Sequence, residues 1–157
     1  MKISRRLCGV LLLGATAGLV ACSRGDSGGD GRIVLGFSQI GAESEWRTAN
    51  TRSVTQAAAD AGIELKFSDA QQKQENQIKA IRSFIAQRVD VISFSPVVET
   101  GWEPVLQEAK AAGIPVILTD RAVDVQDDSL YVTLIGSDFV EEGRRAGRWL
   151  LENTADR

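Results

Sequence analysis

The 157 residues are 43% apolar and 25% charged with a net charge of −3, proportions of about one ordinary globular domain. No basic run follows the N-terminus, so the chain lacks the electrostatic footprint of a nucleic-acid binder, and that partner is excluded. No histidine occurs; this removes the imidazole base that a protease-type serine needs and a principal ligand of zinc.

In chain order, MKISRR places three basic residues ahead of the apolar stretch LCGVLLLGATAGLVA. That stretch is too short to span a bilayer comfortably and has the form of an export signal. It ends in Leu19-Val20-Ala21-Cys22, which resembles the lipobox of bacterial lipoproteins. The resemblance implies a signal peptide over 1–21, lipidation of Cys22 and an anchor that touches the membrane through lipid only; a signal-anchor helix with an incidental cysteine is the alternative. With Cys8 removed and Cys22 modified, no thiol is left for a disulfide or a metal. Residues 23–32, SRGDSGGDGR, hold four glycines and no apolar side chain, so 22–32 is expected to be a flexible tether. The GDSGG around Ser27 resembles a protease motif, but it falls in this tether and not in a folded site.

From Ile33 onward, short β-branched runs alternate with amphipathic stretches. The runs are IVLGFS (33–38), IELKFSD (63–69), DVISFS (90–95), PVILTD (115–120) and YVTLIGSD (131–138). Helical spacing of Ile78, Ile81, Ile85 and Val89, and of Trp102, Val105, Leu106, Ala109 and Ala112, fills the gaps and puts Trp102 in the core. AAADAGIEL and QEAKAAGIPV both leave a helix through Ala-Gly, so Gly62 and Gly113 are the expected left-handed caps, whereas Arg88-Val89-Asp90 makes the same passage without glycine. Strand, helix, strand in repetition predicts an α/β fold with a doubly wound parallel sheet.

Ligands of such sheets bind beyond the carboxyl ends of the strands. There the chain offers FSQIGAESEWR, FSDAQQKQENQ, FSPVVETGWEP and LTDRAVDVQDD, with neither a dinucleotide fingerprint nor a P-loop. Carboxylates, guanidinium groups, amides and indoles suit a neutral polyhydroxylated ligand. The candidates are Glu43, Ser44, Glu45, Trp46, Arg47, Asp120 and Arg121, with no catalytic residue, cofactor or metal expected. Ser44 also fits a helix N-cap, Trp46 a packing residue, Arg47 a solvated one, and Asp120-Arg121 a surface ion pair. QQKQENQ reads as a polar entry to a helix.

The stretches GFSQIGAESEWR, DAQQKQENQIKAIRSFIAQRVDVISFSPVVETGWEPVLQEAK and IPVILTDRAVD resemble the periplasmic sugar-binding proteins of ABC transporters, ribose-binding type, and within them the galactofuranose-binding members. The resemblance runs from about Ile33 to Asp138. It implies a type I periplasmic-binding-protein fold whose two lobes close on a monosaccharide such as galactofuranose or galactose and present it to permease subunits. A sugar sensor that signals to a receptor or kinase is the alternative. The family's ligand segment falls on residues 43–47 and its Asp-Arg pair on Asp120 and Arg121. It further implies that 33–136 is the first lobe and 137–157 a hinge with the first helix of a second, absent lobe. On that reading Phe139, Val140, Ala146, Leu150 and Leu151 form a stripe with no sheet to cover, and a single lobe holds sugar more weakly than about millimolar.

Overall fold

A computed structural model describes residues 31–154. Residues 1–30, which include the expected signal segment 1–21, Cys22 and Ser27, lie outside the described residues, as do 155–157.

Five strands follow the predicted runs closely: β1 Val34–Gln39, β2 Glu64–Asp69, β3 Val91–Phe94, β4 Val116–Thr119 and β5 Thr133–Ile135. They pair in parallel in the order β2-β1-β3-β4-β5, so the winding reverses at β1, as in a doubly wound sheet. Only β5 differs much from its expected span. Like β2 it is an edge strand among the described residues, and Thr133, Leu134 and Ile135 register with β4, against Ile117, Leu118 and Thr119.

The crossovers are α1 Glu45–Asp60, α2 Gln74–Ala86 and α3 Glu103–Ala111; a final helix, α4, spans Phe139–Thr154. Several of these ends have a local cause. Ser44 Oγ accepts from the Arg47 N–H at 3.2 Å, the N-cap contact that satisfies an orphan donor of the first turn. Gly62 and Gly113 take φ of +68° and +73° just past α1 and α3. After α2 the same left-handed turn is made by Arg88 at φ +53°, a conformation that a side chain disfavours.

One face of the sheet carries the main core. Phe84, Ile92, Phe94, Trp102, Leu106 and Leu118 are among its buried members, contributed by α2, α3, β3 and β4. Trp102 is fully buried, its ring 4.9 Å from that of Phe94 and its indole N–H donating to Val98 O at 2.7 Å. Gly36 turns to this face too: a Cβ there would lie 2.6 Å from Phe84 Cγ. At roughly 1.5–3 kcal/mol for each large side chain fully buried, this face dominates the packing, since α1 buries only Arg47 and Ala58. On the opposite face Phe37 packs 6.3 Å from Phe67, ring centre to ring centre. The helix α4 buries none of its described residues, and Phe139, Val140, Trp149, Leu150 and Leu151 are all more than half exposed. No helix of the described residues is long and apolar enough to cross a membrane.

Candidate ligand-binding site

The loops that leave β1 and β4 meet. Ser44 fixes the start of α1, and one residue of its first turn, Arg47, points inward: it is 4% exposed. Its Nη2 donates to Asp120 Oδ2 at 2.7 Å and its Nε to Glu43 Oε1 at 3.1 Å. Burying a guanidinium is costly unless it is paired and hydrogen-bonded, and here two carboxylates share it. The pairing is incomplete. Arg47 Nη1 is buried without a hydrogen-bond partner among the described residues, a donor open to a ligand oxygen.

Trp46 behaves in the opposite way. It is 53% exposed, and its ring faces the Arg47 guanidinium, 4.7 Å from the ring centre. The packing tryptophan and solvated arginine of the bland reading are thus interchanged: arginine goes in, indole stays out. That leaves an exposed apolar indole beside a charged cluster.

Asp120 sits just past β4 in the left-handed region, φ +67°, which aspartate tolerates better than most residues. Its N–H donates to Ile135 O at 2.8 Å. Gly136 lies so close that a Cβ on it would come 2.9 Å from the Asp120 carbonyl oxygen. The acid is therefore held from behind by the end of β5, while Oδ2 is engaged by Arg47 and more distantly by Arg121 Nε at 3.7 Å. No donor to Oδ1 is found among the described residues, so this oxygen can accept from a ligand hydroxyl.

A hollow of about 300 Å³ opens at this point, lined by Trp46, Asn50, Thr119, Asp120, Ile135, Gly136 and Ser137. Glu43, Ser44, Trp46, Arg47 and Asp120 thus gather at one place. Glu45 is exposed with no contact of its own in the cluster, and Arg121 is about half exposed beyond Asp120. A larger groove of about 620 Å³ runs along β2 and α2 past Lys66, Phe67, Asn76 and Lys79, but none of the converging charged groups reaches it. Among the described residues no group of three or more His, Cys, Asp or Glu could hold a metal ion.

Amides do work that the sequence alone did not reveal. Gln77, in the polar entry to α2, is fully buried; its Nε2 donates to Ser95 O at 2.7 Å and its Oε1 accepts from Val97 N–H at 2.9 Å. It therefore clamps the loop after β3. Ser95 Oγ in turn donates to Thr119 O at 2.9 Å, which ties that loop to the last residue of β4. Gln39, at the end of β1, is equally buried and bonds to Asn50 and Thr51 of α1.

The strand order that reverses at β1 defines a doubly wound α/β fold, and charged, amide and indole groups gather past the carboxyl ends of β1 and β4. The sequence model of the periplasmic binding protein domain matches residues 35–157, and the chain belongs to that family. It is 57% identical over 120 residues to the galactofuranose-binding protein YtfQ of Escherichia coli, covering 76% of this chain and 38% of that one. A Mycobacterium smegmatis protein crystallised with β-D-fucofuranose superposes with a TM-score of 0.76 at 67% identity, over 78% of this chain and 40% of that one. The binding component of the arabinose ABC transporter of Shewanella sp. ANA-3, bound to α- and β-L-arabinofuranose, gives 0.77 at 61% identity, over 78% and 41%. The chain spans well under half the length of these relatives.

Proposed function

We propose that this chain is the first lobe of the binding component of a sugar importer, and that it holds a monosaccharide in furanose form, galactofuranose or galactose being the favoured ligands. Residues 33–136 form the lobe. Residues 137–157 begin the crossing to a second lobe, and the cleft between lobes encloses the sugar. The observation that carries this reading is the buried Arg47, braced by Glu43 and Asp120 beneath an exposed Trp46 ring. Arg47 Nη1 donates to a ligand oxygen, Asp120 Oδ1 accepts from a hydroxyl, and Trp46 covers an apolar ring face. Glu45 and Arg121 lie at the rim, where a closing second lobe would bring the ligand within their reach.

No covalent step is assigned: recognition and release are the whole chemistry, and permease subunits are the protein partners. The relative that is a transporter component, at 61% identity, favours import over signalling to a receptor or kinase. Membership of the family favours a periplasmic location; lipidation at Cys22 would hold the protein to the cell envelope. The test is a tryptophan-fluorescence titration of the full chain with L-arabinose and D-galactose, whose solutions contain furanose forms, with Trp46→Phe as control. A saturable change lost in that variant is expected, with half-saturation above about 1 mM for one lobe. Absence of any change at about 100 mM would overturn the reading.

A further inference from the structure

Gln39 is fully buried, and its surroundings decide which end of its carboxamide is oxygen. Oε1 accepts from the backbone N–H of Ile40 at 3.0 Å. A backbone N–H only donates, so the other end must be the NH2 group. That NH2 donates to Asn50 Oδ1 at 2.8 Å and to Thr51 Oγ1 at 3.3 Å.

The same logic passes to the next amide. Asn50 must turn its oxygen to Gln39, which leaves its Nδ2 as the free end. No acceptor for Nδ2 is found among the described residues, and Asn50 is half-buried at the wall of the hollow that Trp46, Thr119 and Asp120 also line. A neutral amide that could have presented either face is therefore fixed as a donor by a backbone group two hydrogen bonds away.

We propose that Asn50 is a specificity-determining residue of this hollow and Gln39 its positioning residue. Asn50 Nδ2 donates to a ring or hydroxyl oxygen of the ligand, while Asp120 Oδ1 accepts from a hydroxyl. The hollow thus selects by polarity: a ligand must bring an acceptor to Asn50 and a donor to Asp120. This inference rests on the carbohydrate reading above, which gives the hollow its ligand class.

The experiment follows the Asn50 side-chain amide and the Trp46 indole by NMR in the ¹⁵N-labelled full chain during titration with L-arabinose and D-galactose. Both signals are expected to shift with one saturation curve. Asn50→Asp keeps an oxygen for Gln39 but exchanges the donor for an acceptor. It should weaken binding by about threefold to tenfold, the worth of one neutral hydrogen bond, with the melting temperature unchanged. Gln39→Glu should also weaken binding without touching the ligand, because an ionised second oxygen turns the Asn50 amide round; its buried charge should lower the melting temperature as well. An Asn50 amide that stays still while Trp46 saturates overturns the proposal, whether or not either variant folds. So does an Asn50→Asp protein that binds within roughly twofold of the parent, a difference too small for a lost hydrogen bond. If no signal moves at about 100 mM sugar, the carbohydrate reading fails and takes this one with it.

Discussion

Arg47 Nη2 lies 2.7 Å from Asp120 Oδ2 across a gap of 73 residues, so the first turn of α1 and the end of β4 are joined through one charged contact. The bond braces the fold and holds the two side chains in one place.

Replacing Arg47 by Met removes the cation and leaves Glu43 and Asp120 facing each other. Their side chains are 28% and 17% exposed, so water softens the loss. We expect about 2–3 kcal/mol of destabilisation, below the ~3–5 kcal/mol of a fully buried pair. A urea-unfolding midpoint equal to the parent's would show that the contact contributes no stability.

Gln77→Leu tests the clamp on the loop after β3. The substitution keeps the volume but strands Ser95 O and Val97 N–H, and a buried unmet group costs about 1–3 kcal/mol. Chemical denaturation should show a lower midpoint with an unchanged slope, because the surface exposed on unfolding stays the same. A midpoint that holds would mean that water replaces the amide.

Arg88→Gly is expected to stabilise the protein. The arginine sits at φ +53° in a position where α1 and α3 use glycine, and a side chain in that region costs about 1–2 kcal/mol. Allowing for the greater freedom of glycine in the unfolded chain, a gain of about 0.5–1 kcal/mol should appear as a higher melting temperature. A lower one would point to an unseen role for the arginine side chain.

Acid should loosen the helix contacts on the core face. The Arg82 guanidinium, hydrogen-bonded to Glu108, holds that carboxyl below its ordinary range. Asp127 is lowered by Ser129, whose hydroxyl and backbone N–H both donate to it, and then by Lys110. A carboxylate whose pKa is depressed by folding stabilises fully above its unfolded pKa and loses that contribution as pH falls through the folded value. Melting temperature should therefore hold above about pH 5 and decline below about pH 4, where unperturbed carboxyls titrate. The Glu108→Gln and Asp127→Asn variants should have a shallower acid limb; an identical limb would refute the assignment. Both groups are solvent-exposed, so salt should shrink the effect.

The sheet was legible because the inner strands β1, β3 and β4 are short apolar-rich runs between helical stretches, and their burial leaves little freedom in where they start. The end of β5 was less so: Gly136, Ser137 and Asp138 continue an extended-looking run, but among the described residues no strand pairs with them. For the site, the rule that ligands meet the carboxyl ends of strands led to residues 43–47 and 120–121. Adjacent letters could not tell that Arg47 turns inward and Trp46 outward, because that depends on a partner 73 residues away. Gln39, Asn50 and Gln77 were overlooked for a related reason: an uncharged amide leaves no mark in a charge or hydropathy pattern. The signal available was Gln39 itself, a polar residue closing an apolar strand and followed at once by Ile40.

The contact of Gly136 with the Asp120 carbonyl restricts how this region can evolve. A side chain at 136 would force the Asp120 backbone to shift, so changes that keep this corner intact have to fall on the side chains around it, such as Asn50 or Ser137, with position 136 kept as glycine.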